Sequence, residues 1–202
     1  MLPIILDVSS LKVAVIGNGL QAVKRLDMLR DAEVNKIDIF APVPGEELRE
    51  AAGDEMKFHL PTAEDISKYA IIFIANLEDD EAQKLADQAR EQGVLVNVED
   101  VKPLCDFHVP SIIRRGKLLM TASTGGMSPA LARRLREFLS ARFAPVWAER
   151  LEIIGAARHR WRDEGLSFGE VTKNTNELID EEGWLECPCP LKTETLLQTE
   201  KS

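Results

Sequence analysis

Lys12-Val-Ala-Val-Ile-Gly-Asn-Gly-Leu-Gln-Ala22 is the stretch that decides the fold of this 202-residue chain. Its first half is a short apolar run ending at glycine, which reads as a buried strand. Its second half opens a helix over residues 20–30, with Leu20, Val23, Leu26 and Leu29 on one side. Between them, Gly17 permits a tight turn and Gly19 lets the backbone approach a pyrophosphate. Ala22 keeps the helix close to the strand. The helix N-terminus adds N–H groups and a positive dipole end for phosphate oxygens. This strand, turn and helix predict a dinucleotide site; a tight turn without a ligand is the competing reading.

Outward from that stretch, residues 36–40, 57–60, 69–75 and 94–98 read as strands. Residues 46–52 and 80–92 read as helices, with Gly93 as a stop. Strands alternating with helices predict an α/β, Rossmann-type doubly wound parallel sheet over residues 1–110. The character changes after Pro110. Residues 117–122 read as a strand and 123–126 as a turn. Ser128 and Pro129 then start a helix to about residue 143, as N-cap and first helical position. A further helix is expected from Pro145 to about residue 163, followed by an acidic tail, helical in patches. Residues 111–145 thus form a small segment of their own, and 146–202 a helical C-terminal region.

Composition narrows the function classes. The net charge of -9 disfavours nucleic acid and anionic membrane surfaces. No apolar run approaches the ~18 residues of a membrane span. The opening residues lack a basic n-region and meet Asp7 early, so no signal peptide is expected. Three cysteines make no disulfide framework, and a reducing cytoplasm is the expected compartment. Charge is partitioned, however. Residues 111–162 hold eleven Lys and Arg against three acids, a net +8 in an otherwise acidic chain. Such segregation suggests an anion site, against the plainer reading of solvated helix faces.

At the end of the second strand, where an acid would bind a ribose diol, residues 40–42 carry no carboxylate. Asp38 lies inside the strand. Ribose contacts would fall to backbone near Pro42 and Val43. No arginine stands there for a 2′-phosphate, which favours NAD over NADP.

Three stretches together are similar to one family: Leu2-Pro-Ile-Ile-Leu-Asp7 before the glycine loop; Asn97-Val-Glu-Asp100 leading through Leu104-Cys-Asp-Phe-His-Val-Pro110 to Leu118; and Ala122-Ser-Thr-Gly-Gly-Met-Ser-Pro-Ala-Leu-Ala-Arg-Arg-Leu-Arg136. Over residues 1–160 the chain resembles precorrin-2 dehydrogenase, the NAD-dependent module of siroheme synthase, at the length of the stand-alone form. The resemblance implies oxidation of precorrin-2 to sirohydrochlorin with hydride passing to NAD. Some members also insert iron. It implies a homodimer, with residues 111–145 as the dimerisation segment. It carries the nucleotide contacts onto Gly17, Asn18, Gly19, Leu20, Gln21, Pro42 and Val43, and more loosely onto Asn76. The family's important aspartate falls on Asp100, and its turn hydroxyl on Thr124, with Ser123 beside it. Two departures stand out: Asn18 replaces a frequent middle glycine, and Ala75-Asn-Leu-Glu-Asp79 replaces an Ala-Thr-Asp pattern.

The residues suit that chemistry. A polycarboxylate tetrapyrrole needs concentrated cations, and arginine forks onto carboxylates; Arg114 and Arg133 of the basic block are candidates. Asp100 lies at the carboxyl end of a strand, where open parallel sheets bind ligands. It would act as general base, orient the macrocycle through its pyrrole N–H groups, or accept their protons during iron insertion; a turn cap is the structural alternative. Thr124 either contacts substrate or shapes the turn. His59, His108 and His159 are scattered; His108, in the loop after Asp100, either approaches the site or is structural, and His159 adds to the basic face. Cys187 and Cys189 lack zinc-ligand spacing, and no resident metal is expected. Trp147 and Trp161 cover a macrocycle or fill a core. Two other functions compete with the dehydrogenase: a bifunctional dehydrogenase and ferrochelatase, and a non-enzymatic NAD-sensing module.

Overall fold

The computed structural model describes residues 1–186, so the Cys187 and Cys189 expectation lies outside the described residues. The chain divides into two compact units, at Val109 and Pro110. The first runs β1 (Lys12–Gly17), α1 (Gly19–Asp31), β2 (Lys36–Phe40), α2 (Glu46–Ala52), β3 (Met56–Lys57), α3 (Ala63–Ile66), β4 (Ile71–Ala75), α4 (Asp79–Glu91) and β5 (Leu95–Val98). The five strands form one parallel sheet in the order β3-β2-β1-β4-β5. This is the doubly wound α/β arrangement that the alternation predicts.

Because helices cover both faces, the central strands are apolar throughout. Val13, Val15, Ile39 and Phe73 pack on one face against Ala22, Leu26 and Leu29 of α1 and Leu48 of α2. Ala14, Ile16, Ile72, Ile74 and Val96 pack on the other against Ile66 of α3 and Leu85, Ala86 and Ala89 of α4. Leu26 is fully buried; truncation to alanine there costs about 2–5 kcal/mol.

Polar insertions in this core are satisfied. Asp38 lies on the α4 face of β2. Its carboxylate accepts from the Tyr69 hydroxyl at 2.7 Å and pairs with Lys12 at 3.0 Å and Lys57 at 3.5 Å. Burial alone would raise this carboxyl, but the Tyr69 and Lys12 hydrogen bonds and the two lysine charges outweigh it and hold it below the ordinary value. Asn97 is buried in β5 and donates Nδ2 to the Phe107 carbonyl at 2.9 Å. The chain returns beside β5. The Asp106 N–H donates to Val96 O at 2.8 Å, and the Val96 N–H donates to the Asp106 carboxylate at 3.0 Å. Arg90 of α4 holds the same carboxylate at 3.0 Å.

Some boundaries differ from the sequence reading. The strand expected over 57–60 shrinks to Met56–Lys57, because β2 ends at Phe40, the partner of Lys57, and offers no ladder beyond it. The four-residue α3 carries a Thr62/Asp65 capping box but is too short to show a helical period.

The second unit runs β6 (Ser111–Arg115), β7 (Leu118–Ala122), α5 (Pro129–Arg142), α6 (Trp147–Asp163) and α7 (Phe168–Glu181). β6 and β7 form an antiparallel hairpin. The strand β6 escaped the sequence reading because its two arginines interrupt the apolar run. Ser128 caps α5 through its hydroxyl, which accepts from the Leu131 N–H at 3.2 Å, and Pro129 is the first helical residue. No residue of α5 is buried; Leu131, Leu135 and Phe138 lie 51%, 38% and 67% exposed at helical spacing. In the described part of the acidic tail, Phe168–Glu181 forms one continuous helix, α7, with a Ser167/Glu170 capping box. Among the described residues no helix is long and apolar enough to cross a membrane.

Candidate functional site

The nucleotide loop forms where β1 meets β4. Gly17 has φ +135°, and a Cβ there would stand 1.8 Å from the Ala75 carbonyl oxygen, so only glycine lets the two strand ends close. Gly19 has φ +69°, and a Cβ there would meet the Asn76 amide at 3.2 Å. Asn18, between them, is the N-cap of α1, and its Oδ1 accepts from the Gly19 N–H at 2.8 Å. The N–H groups of Leu20 and Gln21 remain in the first turn, where no intrahelical acceptor exists. α1 has no acid in that turn, whereas α2, α3 and α4 each carry two or more. Its positive dipole end is therefore left uncompensated for an anion. This bare glycine cradle fits a pyrophosphate.

Register places further candidates at the same level. Ile16 pairs with Phe40, Gly17 with Ala75 and Ile74 with Val98. Pro42, Asn18, Asn76 and Asp100 therefore leave four adjacent strands side by side along the carboxyl edge. Pro42 and Val43 are exposed there. Asn76 and Asp100 are also exposed, and both hold left-handed backbone, at φ +54° and +57°. Such strain in non-glycine residues gathers at functional sites.

Glu99 lies half-buried between them, and the Asn76 backbone N–H faces its carboxylate. Burial raises this carboxyl above the ordinary value; Arg25, Lys24 and the Asn76 N–H oppose the rise, and the charge of Asp100 adds to it. Asp38 takes no part in this edge, since its carboxylate is engaged by Tyr69, Lys12 and Lys57.

In the second unit, the Thr124 hydroxyl donates to Ser128 O at 3.1 Å and accepts from the Ser128 N–H at 3.2 Å, so it shapes the turn before α5. The Ser123 hydroxyl accepts from the Gly125 N–H at 3.3 Å. The basic block is not a single array of open cations. Arg115 binds Phe143 O and Ser140, tying the end of α5 to β6. Arg133 pairs with Glu137 at 2.8 Å. Arg142 donates to Leu185 O and Glu186 O, and Arg150 stacks on Trp147 and Trp184. Arg114 is exposed. Charge counting could not separate these uses. Among the described residues, no group of three or more His, Cys, Asp or Glu side chains is placed to hold a metal ion.

Known proteins resemble this chain in sequence and in fold. The siroheme synthase of Nitrosococcus oceani is 35% identical over 165 residues, covering 80% of this chain and 34% of the relative. That of Pseudoalteromonas atlantica is 30% identical over 176 residues, covering 85% of this chain and 37% of the relative. The chain thus spans about a third of the length of these curated relatives. A solved structure titled "SirC, precorrin-2 dehydrogenase" superposes with a TM-score of 0.74 at 23% identity, covering 92% of this chain and 93% of that one, and so shares the fold. The family model described as "Putative NAD(P)-binding" matches residues 4–111, over half of the sequence. Its span takes in the glycine cradle and the strand ends beside it, and the chain belongs to this NAD(P)-binding family.

Proposed function

We propose that the protein oxidises precorrin-2 to sirohydrochlorin, using NAD. The observation that carries this reading is the alignment, on one sheet edge, of the glycine cradle with Asn76 and Asp100. Gly17, Gly19 and the first-turn N–H groups of Leu20 and Gln21 hold the pyrophosphate, with Asn18, Pro42, Val43 and Asn76 around it. The bound nicotinamide supplies the hydride acceptor. Asp100 takes up the proton that the tetrapyrrole releases as its C–H bond yields the hydride, a general-base role that its exposed strand-end position allows. Left-handed backbone fixes where that carboxylate emerges.

Arg114 and Arg133 are the cations proposed for substrate carboxylates. Arg114 is an exposed residue, and Arg133 would bind in exchange for Glu137. Ser123 and Thr124 shape the turn before α5 and act on substrate through that shape. The exposed stripe Leu131, Leu135 and Phe138 on α5 supports a homodimer, because an apolar face of this kind needs cover. A reducing cytoplasm suits Cys105, a free thiol that donates to Val98 O at 3.1 Å.

The test is anaerobic turnover. Precorrin-2 and NAD should yield NADH together with the sirohydrochlorin spectrum. Folded protein that binds NAD but gives no NADH refutes the dehydrogenase and leaves a nucleotide-binding module. Ferrous iron added to sirohydrochlorin, compared with a protein-free control, tests iron insertion separately.

A further inference from the structure

A dinucleotide loop of this type needs Gly17 and Gly19 for their missing side chains. Asn18 carries one, and it reaches out of its own loop. Its Nδ2 donates to Val43 O at 2.7 Å, and its Oδ1 accepts from both the Gly19 N–H at 2.8 Å and the Gly45 N–H at 2.9 Å. One amide thus caps α1 and holds Gly45, the N-cap residue of α2, which has no side-chain cap of its own.

Pro44 is buried, but Pro42, Val43 and Gly45 are exposed and have few other hydrogen bonds to hold them. Pro42 and Pro44 have no N–H to give. Among the described residues, the other hydrogen bond of this loop is the helical one from the Arg49 N–H to Gly45 O. Yet this loop follows the second strand, the place where a dinucleotide's adenine ribose docks. A ligand loop left loose would be ordered at the expense of affinity on binding.

We propose that Asn18 is a positioning residue for the dinucleotide, pinning the 42–45 loop against the phosphate loop before the ligand arrives. The proposal rests on the cofactor reading above and assigns Asn18 a second role beside any direct contact. It also explains why a side chain is kept at the centre of a glycine loop: at φ -146° and ψ 176° its backbone is extended and suits any residue, so glycine is not required there.

The test uses the full chain and NAD, read by calorimetry and by amide hydrogen exchange. Asn18→Gly removes all three bonds and should raise the Kd for NAD about tenfold, a change of about 1.4 kcal/mol. The Gly45 amide should exchange slowly in the wild type, exchange fast in this variant and regain protection when NAD is added. Asn18→Asp keeps the two acceptor bonds, loses the Val43 bond and sets a negative charge beside the pyrophosphate. It sets a carboxylate oxygen against Val43 O as well, and should bind NAD more weakly than Asn18→Gly. Should Asn18→Gly lower the melting temperature but bind NAD like the wild type, or leave Gly45 exchange unchanged, the proposal is overturned and the cofactor reading stands. If the wild type itself does not bind NAD, both fall.

Discussion

Adding one methyl group at Gly17 separates a fold defect from a binding defect when it is set beside the same change at Gly19. At Gly17 the new Cβ would stand 1.8 Å from the Ala75 oxygen and 2.8 Å from its carbonyl carbon, both backbone atoms of a central strand. Nothing flexible can yield. Backbone held in a region that side chains avoid costs about 1–3 kcal/mol. Forcing extra volume into a packed core adds about 1–3 kcal/mol. Gly17→Ala should therefore lose about 4 kcal/mol, and at roughly 4 °C per kcal/mol its melting temperature should fall by about 15 °C. At Gly19 the nearest atom is the Asn76 side-chain amide at 3.2 Å, which can move. The left-handed backbone alone costs about 1–2 kcal/mol, so Gly19→Ala should melt only a few degrees lower. Its methyl group, however, would crowd the pyrophosphate that the cradle is proposed to hold, and NAD affinity should drop at least tenfold. Thermal unfolding by circular dichroism and calorimetric titration with NAD measure the two effects. A Gly17→Ala protein that melts like the wild type would show that β1 and β4 do not close as described, and the cradle would lose its geometric basis.

Other perturbations reach different parts of the argument. Asp100→Asn should retain NAD affinity while anaerobic NADH formation from precorrin-2 falls by roughly 10²–10⁴-fold, the range for a lost general base; near-normal turnover removes Asp100 from its role. The lowered carboxyl of Asp38 gives stability that is present above its unfolded value near 4 and is lost as pH falls through the folded value. Tyr69→Phe removes one bond that holds it low, so urea unfolding at pH 7 should show a loss of about 1 kcal/mol. That difference should fade as pH falls below about 4, and a pH-independent difference would exclude Asp38 as its source. Finally, Leu135→Glu combined with Phe138→Glu on α5 should convert a dimer to a monomer in light scattering without unfolding it, and an unchanged mass would move the interface elsewhere.

What the sequence made legible depended on how local the cause was. The glycine loop, the parallel sheet and the Ser128–Pro129 helix start follow from neighbouring residues, and their short-range signals suffice. Asn18 as N-cap was within reach too, since asparagine before a helix is a common cap. Its hold on Val43 and Gly45 was not, because it crosses 25 and 27 positions. The same distance hid the Asp38–Tyr69 bond and the level at which Asn76 and Asp100 emerge, which follows from strand register rather than spacing. The basic block was legible only in part. Eleven like charges suggest an anion site or solvated helix faces, and composition does not reveal that Arg115, Arg142 and Arg150 also engage carbonyl groups and aromatic rings. Thr124 was open to two readings, and its two bonds to Ser128 give it a shaping role.

The return of residues 105–107 beside β5 has a consequence for solubility. An outermost strand normally offers a row of bare amide and carbonyl groups to any passing polypeptide. Here Asp106 answers Val96 on both its donor and its acceptor, with Arg90 clasping the carboxylate from behind. At the opposite margin β3 is only two residues long, too brief to seed a foreign ladder. Both margins of the sheet are thereby blunted, and Asp106→Ala would free the Val96 N–H while the Asp106 backbone N–H stays on Val96 O.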